Sequence, residues 1–171
     1  MDGAGILSDV RAATPRGWRA AGRLRAGDAV LTLDDGVQRL AGVVRQGWPA
    51  AVSAAPVWPL RVPPGVLGNR RALDLAPGQG VAVECDAAEA LSGAPLALLP
   101  VAALAGWRGI APVAPQGDRL VLRLALPGIV YAEGAALIGC GAPLLPLPQA
   151  RHLAACLMAG DVGTALAGAA R

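Results

Sequence analysis

Apolar residues run along most of this chain in short stretches, and most stretches end at glycine, proline or aspartate. Asp9–Thr14 alternates and stops at Pro15-Arg16-Gly17, which predicts a strand and a turn. Trp18–Arg23 reads as a short return segment. Ala29–Leu33 is a strand closed by Asp34-Asp35-Gly36, and Val37–Val44 pairs back on it. An Asp-Gly turn between apolar runs is a strong hairpin signal. Pro49–Pro56 reads as a loop, Val57–Val62 as extended, and Pro63-Pro64-Gly65 as a turn. Strands are expected at Ala72–Leu75, Val81–Glu84 and Leu96–Leu99. Asp86–Leu91 reads as one helical turn capped by Asp86, and Val101–Ala105 as another. Leu120–Leu126 and Ile129–Ala132 flank Pro127-Gly128 and predict a second hairpin.

Strands spaced this closely, with Gly and Pro between them, predict an all-β domain. The tail differs. Gln149–Ala159 lacks Pro and Gly and predicts a helix, with Asp161 capping a second short helix toward Ala170. The expected organisation is a β domain over 5–142, then a Pro-rich linker and helical tail over 143–171.

Composition narrows the chemistry more than the fold. The 171 residues suit one domain. With 54% hydrophobic residues, 16% charged residues and a mean hydropathy of +0.49, the chain can offset its folding entropy. All fifteen basic residues are Arg, a usage that reads as genome base composition. Without Lys there is no phosphate loop of the Gly-x-x-x-x-Gly-Lys type, and no Gly-x-Ser-x-Gly elbow occurs. Gly78-Gln79-Gly80 is followed by Val-Ala-Val, so the dinucleotide fingerprint fails.

The thiols Cys85, Cys140 and Cys156 form no close pair. Their odd number, with no secretory leader, points to a reducing, cytoplasmic setting. The uncharged stretches Ala90–Trp107 and Gly134–Ala150 are broken by prolines and make poor membrane spans. The net charge is +3, and Arg11, Arg16, Arg19, Arg23 and Arg25 crowd the N-terminal region. A nucleic-acid patch is one reading. A solvated strand face is favoured, because Trp18 is the lone interleaved aromatic and Asp9 and Asp28 flank the run.

His152 and Cys156 share a helix face, and with Cys85 and Cys140 they would make a Cys₃His zinc set. Buried thiols and a surface His are the plainer account, and neither metal nor cofactor is expected. The acidic pairs Asp34-Asp35 and Asp86/Glu89 are explained by a turn and a helix start. Trp18, Trp48, Trp58 and Trp107 read as core fillers in a chain without Phe. The tail is expected to dock in cis, with a homo-oligomer as the alternative.

The order of the motifs resembles a known family. Thr14-Pro15-Arg16-Gly17 leads into Leu24-Arg25-Ala26-Gly27-Asp28-Ala29-Val30-Leu31-Thr32, followed by the Asp34-Asp35-Gly36 hairpin. Leu60-Arg61-Val62, Gly65–Gly68, Leu75–Val81 and Ile129–Gly134 follow in order. This is similar to hedgehog/intein (Hint) domains of the bacterial stand-alone branch, over about residues 5–142. The resemblance implies a curved, pseudo-twofold β horseshoe and an autoprocessing ancestry. In that chemistry a first-residue Cys or Ser attacks the preceding carbonyl, and a Thr/Ser-x-x-His pair opposite it protonates the leaving amide.

This chain departs at those positions. The nucleophile falls on Gly5, and the Ser-x-x-His block falls on Ala76-Pro77-Gly78-Gln79. Ala76 has no hydroxyl, and Gln79 cannot exchange a proton near neutral pH. With Met1–Ala4 ahead of Gly5, no upstream protein would be released on this reading. The expectation is therefore a catalytically inactive scaffold with a binding or structural role, its partner an unidentified protein or a second copy. Two alternatives stand beside it: self-processing through Ser8 as a shifted nucleophile, and an unrelated β-barrel binding module with an Arg-rich face.

Overall fold

The computed structural model describes the backbone of residues 3–48 and 58–169. The chain opens with β1 (Ile6–Leu7), β2 (Arg11–Thr14), β3 (Gly17–Ala20), β4 (Ala29–Thr32) and the long β5 (Gly36–Gln46). Next come β6 (Leu60–Val62), β7 (Leu73–Leu75), β8 (Gly80–Glu84), the helix α1 (Asp86–Ser92) and β9 (Leu96–Pro100). The chain closes with β10 (Ala111–Pro112), β11 (Arg119–Leu124), β12 (Gly128–Ala132), β13 (Ala136–Cys140) and α2 (Leu147–Ala169).

The main path through the sheet runs β10-β6-β7-β1-β11-β5-β4-β12-β13-β8-β9, with β2 and β3 attached through β12. Every strand pair is antiparallel, and the path does not close on itself. This is an all-β fold of the expected class. Alternating inward residues of these strands build one core; Val30, Leu73, Leu99, Leu120 and Val130 are fully buried in it.

The Asp34-Asp35-Gly36 hairpin forms as its residues predict. Thr32 pairs with Gly36, whose φ of 62° suits glycine at the turn. The Pro127-Gly128 hairpin does not form. β11 pairs with β5 and β1, whereas β12 pairs with β13, β4 and β2. Pro127 thus sits in a crossing between two parts of the sheet, and the real hairpin turns through Glu133–Ala135 into β13. That strand lies inside one of the uncharged stretches weighed as a membrane span. No helix of the described residues is long and apolar enough to cross a membrane.

Three further expectations change. Asp86 is the first helical residue of α1, and Cys85, with extended backbone, is the cap. α2 is one continuous helix of 23 residues that passes through Asp161. A glycine inside a helix costs only about 1 kcal/mol against alanine, too little by itself to end one. Ala150, Leu153 and Ala154 bury one face of α2, which packs on β9, on the 3-10 turn Val101–Leu104 and on α1. Of the tryptophans, Trp107 alone is core. Trp18 and Trp58 are exposed, and half-buried Trp48 donates its Nε1–H to the Gly117 carbonyl. The segment 49–56 read as a loop lies outside the described residues.

Candidate functional site

The turn between β7 and β8 and the strand β1 bring together residues far apart in sequence. Ala76 N–H donates to the Gly5 carbonyl at 2.8 Å, and Gly78 N–H to the Gly3 carbonyl at 2.9 Å. Gly78 is required here, because a Cβ on it would lie 2.8 Å from the Gly3 carbonyl carbon. The chain ahead of β1 is thereby held against the Ala76–Gln79 turn.

Gln79 is buried at the centre of this arrangement. Its Oε1 accepts the Gly5 N–H at 3.0 Å, across 74 residues of sequence. Its Nε2 donates to the Gly139 carbonyl at 2.8 Å and to the Gly80 carbonyl at 3.1 Å. Both ends of the amide are satisfied, so this side chain ties the chain just ahead of β1 to β8 and β13.

Gly5 is itself buried, with φ +146°, a backbone conformation that favours glycine. A Cβ there would sit 3.2 Å from the Arg119 Cβ and 3.3 Å from the Leu120 carbonyl oxygen. The Arg119 guanidinium donates through Nη1 to the Ala4 carbonyl at 3.4 Å. The Ala4–Gly5 peptide is therefore held by Arg119 at its oxygen and by Gln79 at its nitrogen. Neither partner is a nucleophile, and the Gln79 amide has no proton to exchange as an acid.

Beside this peptide lies a crevice of about 390 Å³. Ile6, Leu120, Leu122, Ile138 and Leu144 give it an apolar lining, and Gln46 and Arg123 stand exposed at its margin. Cys140 also lines it, and burial pushes this thiol up to about 12. A thiol so shifted stays protonated and unreactive at neutral pH.

A Hint domain model matches residues 5–137 of the chain, from Gly5 through β12 and into β13. The chain belongs to the Hint domain family. It matches none of the curated proteins compared with it. In this Hint domain, Gly5 and Gln79, expected from sequence at opposite halves of one mechanism, lie in direct hydrogen-bond contact. Ala76 is fully buried beside them.

Ser8 lies elsewhere. It is exposed in the turn between β1 and β2, its carbonyl accepts the Gly22 N–H at 2.8 Å, and it does not line the crevice. The zinc candidates are also dispersed. His152 Nε2 and Cys156 Sγ are 3.8 Å apart on α2, Cys140 faces the crevice and Cys85 caps α1. Among the described residues, no three His, Cys, Asp or Glu side chains converge on a metal-sized site. The N-terminal arginines diverge as well. Arg11 reaches Glu133 and Arg19 reaches Asp28 at 3.3 Å.

Sequence reasoning missed two residues of structural weight. Arg119 carried no signal beyond its place before an apolar run. Glu133 sits in the turn after β12 at φ 45°, a left-handed conformation uncommon for a residue with a long side chain. Its carboxylate is buried, accepts the Arg11 backbone N–H at 2.7 Å and pairs with the Arg11 guanidinium at 3.4 Å. That pairing holds a long side chain in a conformation Asn adopts more readily.

Proposed function

We propose that this Hint domain retains the family scaffold without self-cleavage and serves as a binding or structural unit. The observation that carries this reading is the bonding of the Ala4–Gly5 peptide. Its N–H is donated to Gln79 Oε1, where a departing amine would need a proton, and position 5 carries no side chain to attack its carbonyl. Amide cleavage needs both a nucleophile and a proton for the leaving nitrogen. Ser8 is a poor substitute, because attack requires reacting atoms held about 3–3.5 Å apart and Ser8 sits outside the crevice. On this reading residues 5–142 form the functional unit, and α2 stabilises it in cis.

The test is the intact mass of the chain expressed behind a stable N-terminal fusion, with and without hydroxylamine or dithiothreitol. The fusion is expected to remain whole under every condition. Thiol- or hydroxylamine-dependent release at Gly5 or Ser8 would overturn the reading.

A further inference from the structure

The crevice borders an edge of the sheet, at β11. β1 pairs antiparallel with β11 through Ile6 opposite Leu120 and Leu7 opposite Arg119. Continued backward in the same register, residues 5, 4 and 3 would stand opposite 121, 122 and 123. The chain does not take that course. At Gly5 it bends away, and Gly3 lies against Gly78 instead. β11 keeps β5 along its whole length on one side, but beyond Leu120 its other side has no strand partner among the described residues. The consecutive residues Val121 to Ala125 line the crevice, as expected where a strand edge rather than a strand face borders it.

We propose that this slot receives an extended, mainly apolar peptide with one acidic side chain, adding as a short strand antiparallel to β11. An unpaired edge offers backbone donors and acceptors that such a peptide satisfies, and alternate side chains find their own pockets. Four extended residues, enough to run beside Val121–Leu124, span roughly 13 Å. Arg123, exposed at the margin and paired with no carboxylate among the described residues, supplies the charge that an acidic side chain complements. The inference rests on the proposed loss of cleavage, since cleavage ahead of Gly5 would remove Gly3 and Ala4, whose bend toward Gly78 leaves this edge of β11 open.

The experiment is an amide NMR titration of the full chain with acetyl-Leu-Val-Glu-Val-amide, with protein and peptide masses read from the same samples. Saturable shifts confined to Val121–Ala125 and Gly139–Gly141 are expected. A peptide N-methylated on the amides facing β11 keeps its side chains but is expected to leave these signals unmoved. Arg123→Glu, a change at an exposed site, is expected to weaken binding about tenfold with the fold intact. Decanoate shifting these amides where the peptide does not would overturn the proposal. So would shifts that follow protein concentration with no peptide present, which would assign the edge to a second copy. Unmoved signals with an intact chain mass would overturn it alone, whereas a chain cleaved ahead of Gly5 would overturn the loss of cleavage on which it rests.

Discussion

Gln79 does more for this molecule than its place in a short turn between β7 and β8 suggests. Its amide satisfies one buried N–H and two carbonyls on three separate elements. Gln79→Ala would leave the Gly5 N–H and the Gly139 carbonyl without that partner. A stability loss of about 1–3 kcal/mol is expected, read from chemical denaturation of the two proteins. Cys140 makes a different prediction. Burial raises its thiol from the ordinary 9.0 to about 12, so folding favours the protonated form. That contribution is whole below pH 9 and is lost as pH climbs through the window toward 12. Cys140→Ala should remove this part of the alkaline decline in stability, whose slope reaches at most about 1.4 kcal/mol per pH unit. Denaturation curves collected from pH 8 to 11 on both proteins would check it.

Among the elements, α2 shows how a tail becomes part of the fold. Its first half presents Ala150, Leu153 and Ala154 to the core, and its start follows the backbone bond from Leu145 N–H to the Leu98 carbonyl on β9. Leu153 is fully buried, so Leu153→Ala removes packed methyl groups from the seam between α2 and the sheet. A cost of about 2–5 kcal/mol is expected in urea unfolding. The same change at exposed Leu147 should cost far less. The β12–β13 hairpin is held by Glu133, which joins Arg11 on β2 to the turn.

Considered whole, the molecule assembles its crevice from β1, the β7–β8 turn, β11 and β13, segments drawn from most of the chain length. On the proposed reading, placing a nucleophile at Gly5 and an imidazole at Gln79 is therefore not expected to restore cleavage. Gly5→Cys combined with Gln79→His would force a Cβ against Arg119 and Leu120 at a φ of +146°, and would still face Ala76 without a hydroxyl. This double variant, fused at its N-terminus, is expected to stay uncleaved by intact mass. Its cleavage would show that the backbone at residue 5 relaxes into a reactive geometry.

Local patterns were enough to place many of the strands, the Asp34-Asp35-Gly36 turn and the start of a helical tail. Alternation, turn residues and β propensity act over a few neighbours, so they are legible in a linear reading. Motif order also singled out Gly5, Ala76 and Gln79 as candidate site positions. Partner choice was not. Pro127-Gly128 looked like a hairpin because turn chemistry is local, yet β11 and β12 found other partners, whose apolar faces and edges come from distant segments. The burial of Glu133 beside Arg11, the contact of Gln79 with Gly5 and the edge of β11 left unpaired among the described residues are all long-range placements. They follow from which strands close on which, and no spacing along the chain encodes them.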